Sequence, residues 1–149
     1  CVQFKIKDTE KEFSLMKELY STTMINEGGR SGTSYAEDQS LSLKIAPPGS
    51  KLDNVTNPEQ LFAAGYSACF NSALDLIKRQ KKLKHASTIQ VTVKLMEQAT
   101  FDYVLAVNIE GHIEGVTLEE AQQLLELTHT VCPYSKATMG NIDVTIKAV

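Results

Sequence analysis

The sequence predicts a single α+β domain, and three observations carry that prediction. The run from Thr56 to Ile77 is apolar on every side at helical spacing, which marks a buried helix rather than a surface one. Separate stretches alternate apolar and polar residues with the strand period of two. Internal repeats, low-complexity tracts and a linker are all missing from the 149 residues, a length that suits one core. The domain is expected to occupy residues 16–149.

Residue 1 is Cys, and Met16 makes a plausible start. Residues 1–15 are therefore expected to be a vector-derived remnant or an N-terminal extension. The alternative is an edge strand, because Val2, Phe4 and Ile6 alternate. Cys1 is the odd thiol and is given no catalytic role. Residues 18–26 read as a strand, Gly28-Gly29 with Gly32 as a turn, and 35–46 as the partner strand. In that partner Leu41, Leu43 and Ile45 alternate with Ser42 and Lys44. Pro47-Pro48-Gly49-Ser50 ends it, and Lys51–Val55 reads as a loop.

The central helix opens with a capping Asn57, Pro58 at the first helical position and Gln60 as a capping-box partner. Gly65, Ser67 and Ser72 are small enough to let another backbone come close. Its end, Lys78-Arg79-Gln80-Lys81-Lys82-Leu83-Lys84, reads as a solvated terminus whose cations complement the helix dipole. Two strands follow, with Ile89, Val91, Val93 and Leu95 on one and Leu105, Val107 and Ile109 on the other. Thr117-x-x-Glu120 is a capping box for a helix over Leu118–Thr130. Pro133 blocks its continuation. Ile142, Val144 and Ile146 mark the last strand.

The formal charge of −3 leaves no basic footprint for nucleic acid. No apolar run approaches the ~20 residues that cross a bilayer, so no membrane partner is expected. Three cysteines are too few for a disulfide scaffold, which makes a reducing cytoplasm the default compartment. They form no C-x-x-C pair, and His85, His112 and His129 make no zinc-type spacing with them, so no metal is expected.

The chemistry lies with two thiols. Cys69 sits within the apolar helix and Cys132 beside Pro133 at a helix end. A buried cysteine is ordinarily a small inert hydrophobe, and two cysteines this far apart meet only through the fold. Yet Cys69 is fixed inside, whereas Cys132 is placed where the backbone can shift. A rigid attacking thiol with a mobile resolving thiol is a two-cysteine peroxidase arrangement, in which a sulfenic acid condenses with the second thiol. Attack needs thiolate, and burial opposes it. Cys69 also lies roughly 18 Å beyond the helix start, out of reach of the dipole. Arg30 in its glycine-rich turn is the best candidate cation, with Glu59 available to hold it.

The blocks Thr56-Asn57-Pro58-Glu59-Gln60-Leu61-Phe62-Ala63-Ala64-Gly65-Tyr66-Ser67-Ala68-Cys69-Phe70 and Cys132-Pro133-Tyr134-Ser135-Lys136-Ala137-Thr138-Met139-Gly140-Asn141-Ile142-Asp143-Val144 resemble those of the organic hydroperoxide resistance proteins (Ohr). These belong to the wider osmotically inducible protein C (OsmC) group. Phe62, Gly65-Tyr66 and Tyr134 look more like the Ohr branch. The resemblance runs from about Glu18 to the C-terminus. It implies antiparallel sheets packed around long central helices in an intertwined homodimer. It also implies Cys69 as peroxidatic thiol, Cys132 as resolving thiol, Arg30 as thiolate stabiliser and Glu59 as its orienting group. Organic hydroperoxides are the implied substrates, with no bound cofactor and an external lipoyl-type dithiol, free or on a lipoylated protein, as reductant. Lys136, Met139 and Ser67 depart from the usual family residues. Phe62, Tyr66 and Phe70 are the expected substrate pocket.

Glu59 precedes Cys69 by ten residues, about 15 Å along a straight helix and roughly −80° around it. One arginine hardly spans that gap, so a composite site is expected, with Cys69 and Cys132 from one subunit and Arg30 and Glu59 from the other. A helix break at Ala63-Ala64-Gly65 is the alternative. Three rival functions remain open: an OsmC-branch peroxidase of broader range, a cysteine hydrolase using His129 as base, and a non-catalytic carrier of apolar ligands.

Overall fold

The structure is a computed structural model and describes residues 16–149. The features expected at residues 1–15, including Cys1 and the Val2, Phe4, Ile6 alternation, lie outside the described residues. The apolar run forms one unbroken helix, α1, Pro58–Gln80. The Asn57 side chain accepts the Gln60 N–H at 2.8 Å, a cap worth about 1 kcal/mol. Gln60 itself bonds Thr56 Oγ1 rather than closing a capping box.

Ahead of α1 lies a four-stranded sheet, β1 (Met24–Glu27), β2 (Thr33–Ala36), β3 (Ser42–Ile45) and β4 (Val55–Thr56). The stretch expected as one strand over 35–46 is interrupted. Asp38 accepts the Ser40 N–H and hydroxyl, and Gln39 adopts a φ of 62°, which bends the chain between β2 and β3. The expected strand at 18–26 is ordered as a strand only from Met24, and the loop at 51–55 ends in β4.

After α1 come β5 (Ser87–Ala99) and β6 (Asp102–Ile113), a long hairpin. Then follow α2 (Leu118–Val131), α3 (Pro133–Thr138) and β7 (Asp143–Ala148). Thr117 and Glu120 form the expected capping box. The sheets are not purely antiparallel, because β3 pairs β4 and β6 pairs β7 in parallel. The second of these is a crossover through two helices, the connection that parallel neighbours require. Pro133 ends one helix and starts the next. Its missing N–H costs nothing at a first helical position, so α3, unforeseen in the sequence, begins there.

One core joins α1, the β5–β6–β7 sheet and α2, through Tyr66, Phe70, Leu74, Ile77, Val107, Ile109 and Leu125. Among the described residues nothing covers the opposite side of α1. Ala64, Ala68, Ser72 and Leu76 are exposed there, at the four-residue spacing of one helix face. The all-round burial expected of this helix is thus not met by a single copy. Lys78 also departs from expectation. It is buried, with Nζ 2.8 Å from Asp75 and donating to His85 O and Ser87 Oγ at 2.9 and 2.8 Å. It ties the helix end to β5 instead of lying in solvent.

Candidate active site

Phe62, Gly65, Tyr66 and Cys69 are spaced i, i+3, i+4 and i+7, so they share one face of α1. The segment 132–138 packs on that face. The buried Tyr66 hydroxyl lies 2.9 Å from Ser135 Oγ and 3.0 Å from Thr138 Oγ1, fixing α3 to α1 from below. The Tyr134 ring covers Gly65 and packs with Phe62 and Tyr66 at centroid distances of 6.1 and 5.6 Å. A Cβ at Gly65 would fall 2.6 Å from the Tyr134 hydroxyl, so a side chain there would force the ring to shift. Gly65→Ala is therefore expected to destabilise the protein by about 1–3 kcal/mol, as overpacked sites do. Urea unfolding checks this, and an unchanged midpoint would show that the ring moves freely.

The two thiols meet. Cys132 Sγ lies 3.7 Å from Cys69 Sγ, and both are free. Their exposures reverse the sequence expectation. Cys132 is 0% exposed, whereas Cys69 is only half-buried. Nor is the Cys132 backbone loose, since its N–H bonds Thr128 O at 2.9 Å and its carbonyl accepts Lys136 N–H at 3.0 Å. A proline beside a thiol suggested mobility, but here it nucleates a helix that Tyr66 clasps.

Burial pushes the Cys69 thiol above its ordinary value. The Tyr134 backbone N–H works against this, and the neighbouring Cys132 thiol adds to it. Tyr134 thus bears on Cys69 through its backbone, which the sequence did not reveal. Among the described residues no cation acts on Cys69 within the chain.

Arg30 belongs to a 3-10 turn, Gly29–Ser31, between β1 and β2. Asn26 holds this turn by accepting Gly29 N–H at 2.9 Å. Gly32 is required there, because a Cβ would overlap Glu27 O. Arg30 grips Glu59 bidentately, with Nη1 to Oε2 at 2.9 Å and Nη2 to Oε1 at 2.5 Å. The guanidinium hydrogen bonds lower the Glu59 pKa, and the same pairing raises that of Arg30. Fork geometry of this kind fixes direction as well as charge. The unbroken α1 excludes the break at Ala63-Ala64-Gly65, so Glu59 stays at the helix start. The chain assembles two halves, a thiol pair and an Arg–Glu pair, at different points along α1.

The three expected pocket residues differ in their placement. Tyr66 and Phe70 are 0% exposed core residues. Of the three only Phe62 lines an apolar cavity of about 650 Å³, with Tyr103, Leu105, Pro133, Tyr134 and Ile142 among its walls. Periodicity placed all three on the thiol's helix but did not say which side the hairpin covers. The hydrolase arrangement also fails. Burial lowers the His129 pKa, its Nδ1 is buried without a hydrogen-bond partner, and Cys69 bonds Cys132 instead. Among the described residues no group of three or more His, Cys, Asp or Glu could hold a metal ion. None of their helices is long and apolar enough to cross a membrane.

An α+β domain with this helix-borne thiol pair is of the OsmC-like class, and residues 51–147 match the family model described as OsmC-like protein. More narrowly, the chain belongs to the organic hydroperoxide resistance proteins. It is 44% identical over 138 residues to organic hydroperoxide resistance protein OhrA of Bacillus subtilis (strain 168), covering 89% of this chain and 98% of that one. The crystal structure of an organic hydroperoxide resistance protein from Elizabethkingia anophelis superposes with a TM-score of 0.81 at 42% identity, covering 89% and 98%. That of OhrB of B. subtilis gives 0.81 at 34%, covering 89% and 100%.

Proposed function

We propose that this chain is a thiol-dependent peroxidase that reduces organic hydroperoxides to alcohols in defence against oxidative stress. The observation that carries the reading is the contact between an accessible Cys69 and a buried Cys132 in a chain of the Ohr family. Cys69 thiolate attacks the peroxide O–O bond, forming a sulfenic acid while the alkoxide leaves and takes a proton to become the alcohol. Cys132 sulfur then attacks Cys69 Sγ, expelling water and closing a disulfide. Closing 3.7 Å to the roughly 2.05 Å of a disulfide is a side-chain-scale movement. A lipoyl-type dithiol, free or on a lipoylated protein, restores both thiols, with no resident cofactor, in the cytoplasm.

The working unit in this reading is an intertwined homodimer. The exposed Ala64, Ala68, Ser72 and Leu76 face is narrow enough for close helix packing. Met24 and Ile25 leave apolar surface on β1, and the first sheet is tied to α1 by β4 and the Arg30–Glu59 pair. A second copy would bury both surfaces and bring Arg30 and Glu59 of the partner subunit to Cys69, offsetting the desolvation that opposes its thiolate.

Adding cumene hydroperoxide to reduced protein and counting thiols tests the function. Two of the three thiols per chain should disappear as one alcohol forms. A non-catalytic carrier would lose none. The substrate class is set by apolar walls such as Phe62 and Tyr134, where each buried CH₂ contributes about 0.8 kcal/mol. Cumene hydroperoxide is therefore expected to exceed hydrogen peroxide in kcat/KM by about a hundredfold or more. Equal values would favour the broader OsmC-branch reading.

A further inference from the structure

We infer that the external reductant opens the Cys69–Cys132 disulfide by attacking Cys69 Sγ, and that Cys132 is the sulfur expelled. This rests on the proposed disulfide and concerns which of its two ends is used. A thiolate must approach a disulfide sulfur from the side opposite the leaving sulfur, so access to that side selects the end attacked. For Cys132 the rear side is closed. The residue is 0% exposed and belongs to the cluster of Phe70, Leu74, Ile109 and Leu125. Its segment is held by the Tyr66 bonds to Ser135 and Thr138 and by backbone bonds on either side of the residue. Cys69 is half-buried at the edge of that cluster and retains a solvent approach.

The steps balance. A reductant thiolate forms an S–S bond to Cys69 Sγ, the protein disulfide breaks, and its electron pair goes to Cys132 Sγ. Cys132 takes up the proton that the reductant thiol released. Expelling a thiolate into apolar surroundings slows this route. The competing route is slower still, because it requires α3 to leave α1 before any attack can begin. The mixed disulfide then faces two fates. Cys132, 3.7 Å from Cys69 in the reduced protein, can attack Cys69 and expel the reductant. Alternatively, the reductant's second thiol attacks its own bonded sulfur, closes a cyclic disulfide and releases Cys69 thiolate. The dithiol loses two electrons and two protons, and the protein gains them. A monothiol reaches the second fate only through a second molecule, so contact between the protein thiols favours a reductant that carries its second thiol intramolecularly.

The test uses the wild-type chain oxidised with diamide, so that disulfide formation does not depend on peroxide turnover. 2-Mercaptoethanol is added in a rapid mixer, acid quenches the reaction at successive millisecond times, free thiols are alkylated, and the adduct is located by peptide mass mapping. Extrapolated to zero time, the adduct is expected on Cys69 in about tenfold excess or more over Cys132. Equal shares, or a majority on Cys132, would overturn the inference while leaving the peroxidase reading, tested separately by alcohol formation, untouched.

Discussion

Cys69→Ser should reduce organic hydroperoxide consumption by about a thousandfold or more, the scale of losing a catalytic nucleophile, whereas Cys132→Ser should complete one turnover and stop. The difference follows from geometry. Cys69 is the more exposed of the two thiols, and Cys132 is 0% exposed, so in the proposed mechanism Cys69 meets the substrate and Cys132 acts on the sulfur beside it. In Cys132→Ser the sulfenic acid has no partner, so excess peroxide should carry it to sulfinic acid, which dithiols do not reverse. Single-turnover assays with mass measurement of the protein distinguish the variants. One alcohol and an added oxygen are expected for Cys132→Ser, and neither for Cys69→Ser. Identical behaviour would remove the division of labour between the thiols. The 3.7 Å contact between the thiols bears on the unmodified chain as well. In the proposed mechanism resolution needs no unfolding of α3, so the sulfenic acid should be short-lived and over-oxidation slow while Cys132 is present.

Much of this site is legible in the sequence because its parts are local. Asn57, Pro58 and the apolar run define where α1 begins and that it continues past Cys69. Thr117 and Glu120 define α2 through bonds spanning three residues. Alternation in Ile89–Leu95 and Leu105–Ile109 fixes the hairpin. Long-range relations are less visible. That Tyr66 would be spent on Ser135 and Thr138, rather than on substrate, depends on how α3 docks. So does the inversion of exposure between Cys69 and Cys132. Pro133 carried two meanings, helix stop and helix start, and only the four residues following it, all able to continue a turn, argued for the second. Lys78 was misread for a related reason. A cation in a basic run is ordinarily solvated, yet Asp75 one turn earlier and Ser87 on β5 supply it with a buried set of partners. Gly65 was legible as small, but what its smallness admits, the Tyr134 ring, comes from a residue far along the chain.

Mixing two inactive variants should restore activity. A dimer of one Cys69→Ser chain with one Arg30→Ala chain contains, in the composite arrangement, one site in which an intact Cys69 faces an intact Arg30 of the partner subunit. About half of the wild-type activity per dimer is expected from that site. The reason is where α1 places its charges. Arg30 is committed to Glu59 by two hydrogen bonds, α1 is unbroken between Glu59 and Cys69, and among the described residues of the same chain no cation acts on Cys69. A thiol raised by burial and left without a cation is mostly protonated at neutral pH. The Arg30→Ala homodimer should accordingly shift its pH–rate profile to higher pH, because loss of the cation raises the Cys69 pKa and each unit of that rise removes about tenfold of the thiolate at neutral pH. Cys69→Ser has no thiolate to recover and should stay inactive at every pH, which separates the two parents. The mixed dimer is isolated by two affinity tags and assayed with cumene hydroperoxide at neutral pH. If this verified heterodimer is as inactive as both parents, Arg30 serves the Cys69 of its own chain and the composite site is wrong. If activity reappears with the wild-type pH profile, the guanidinium that ionises each thiol comes from across the dimer.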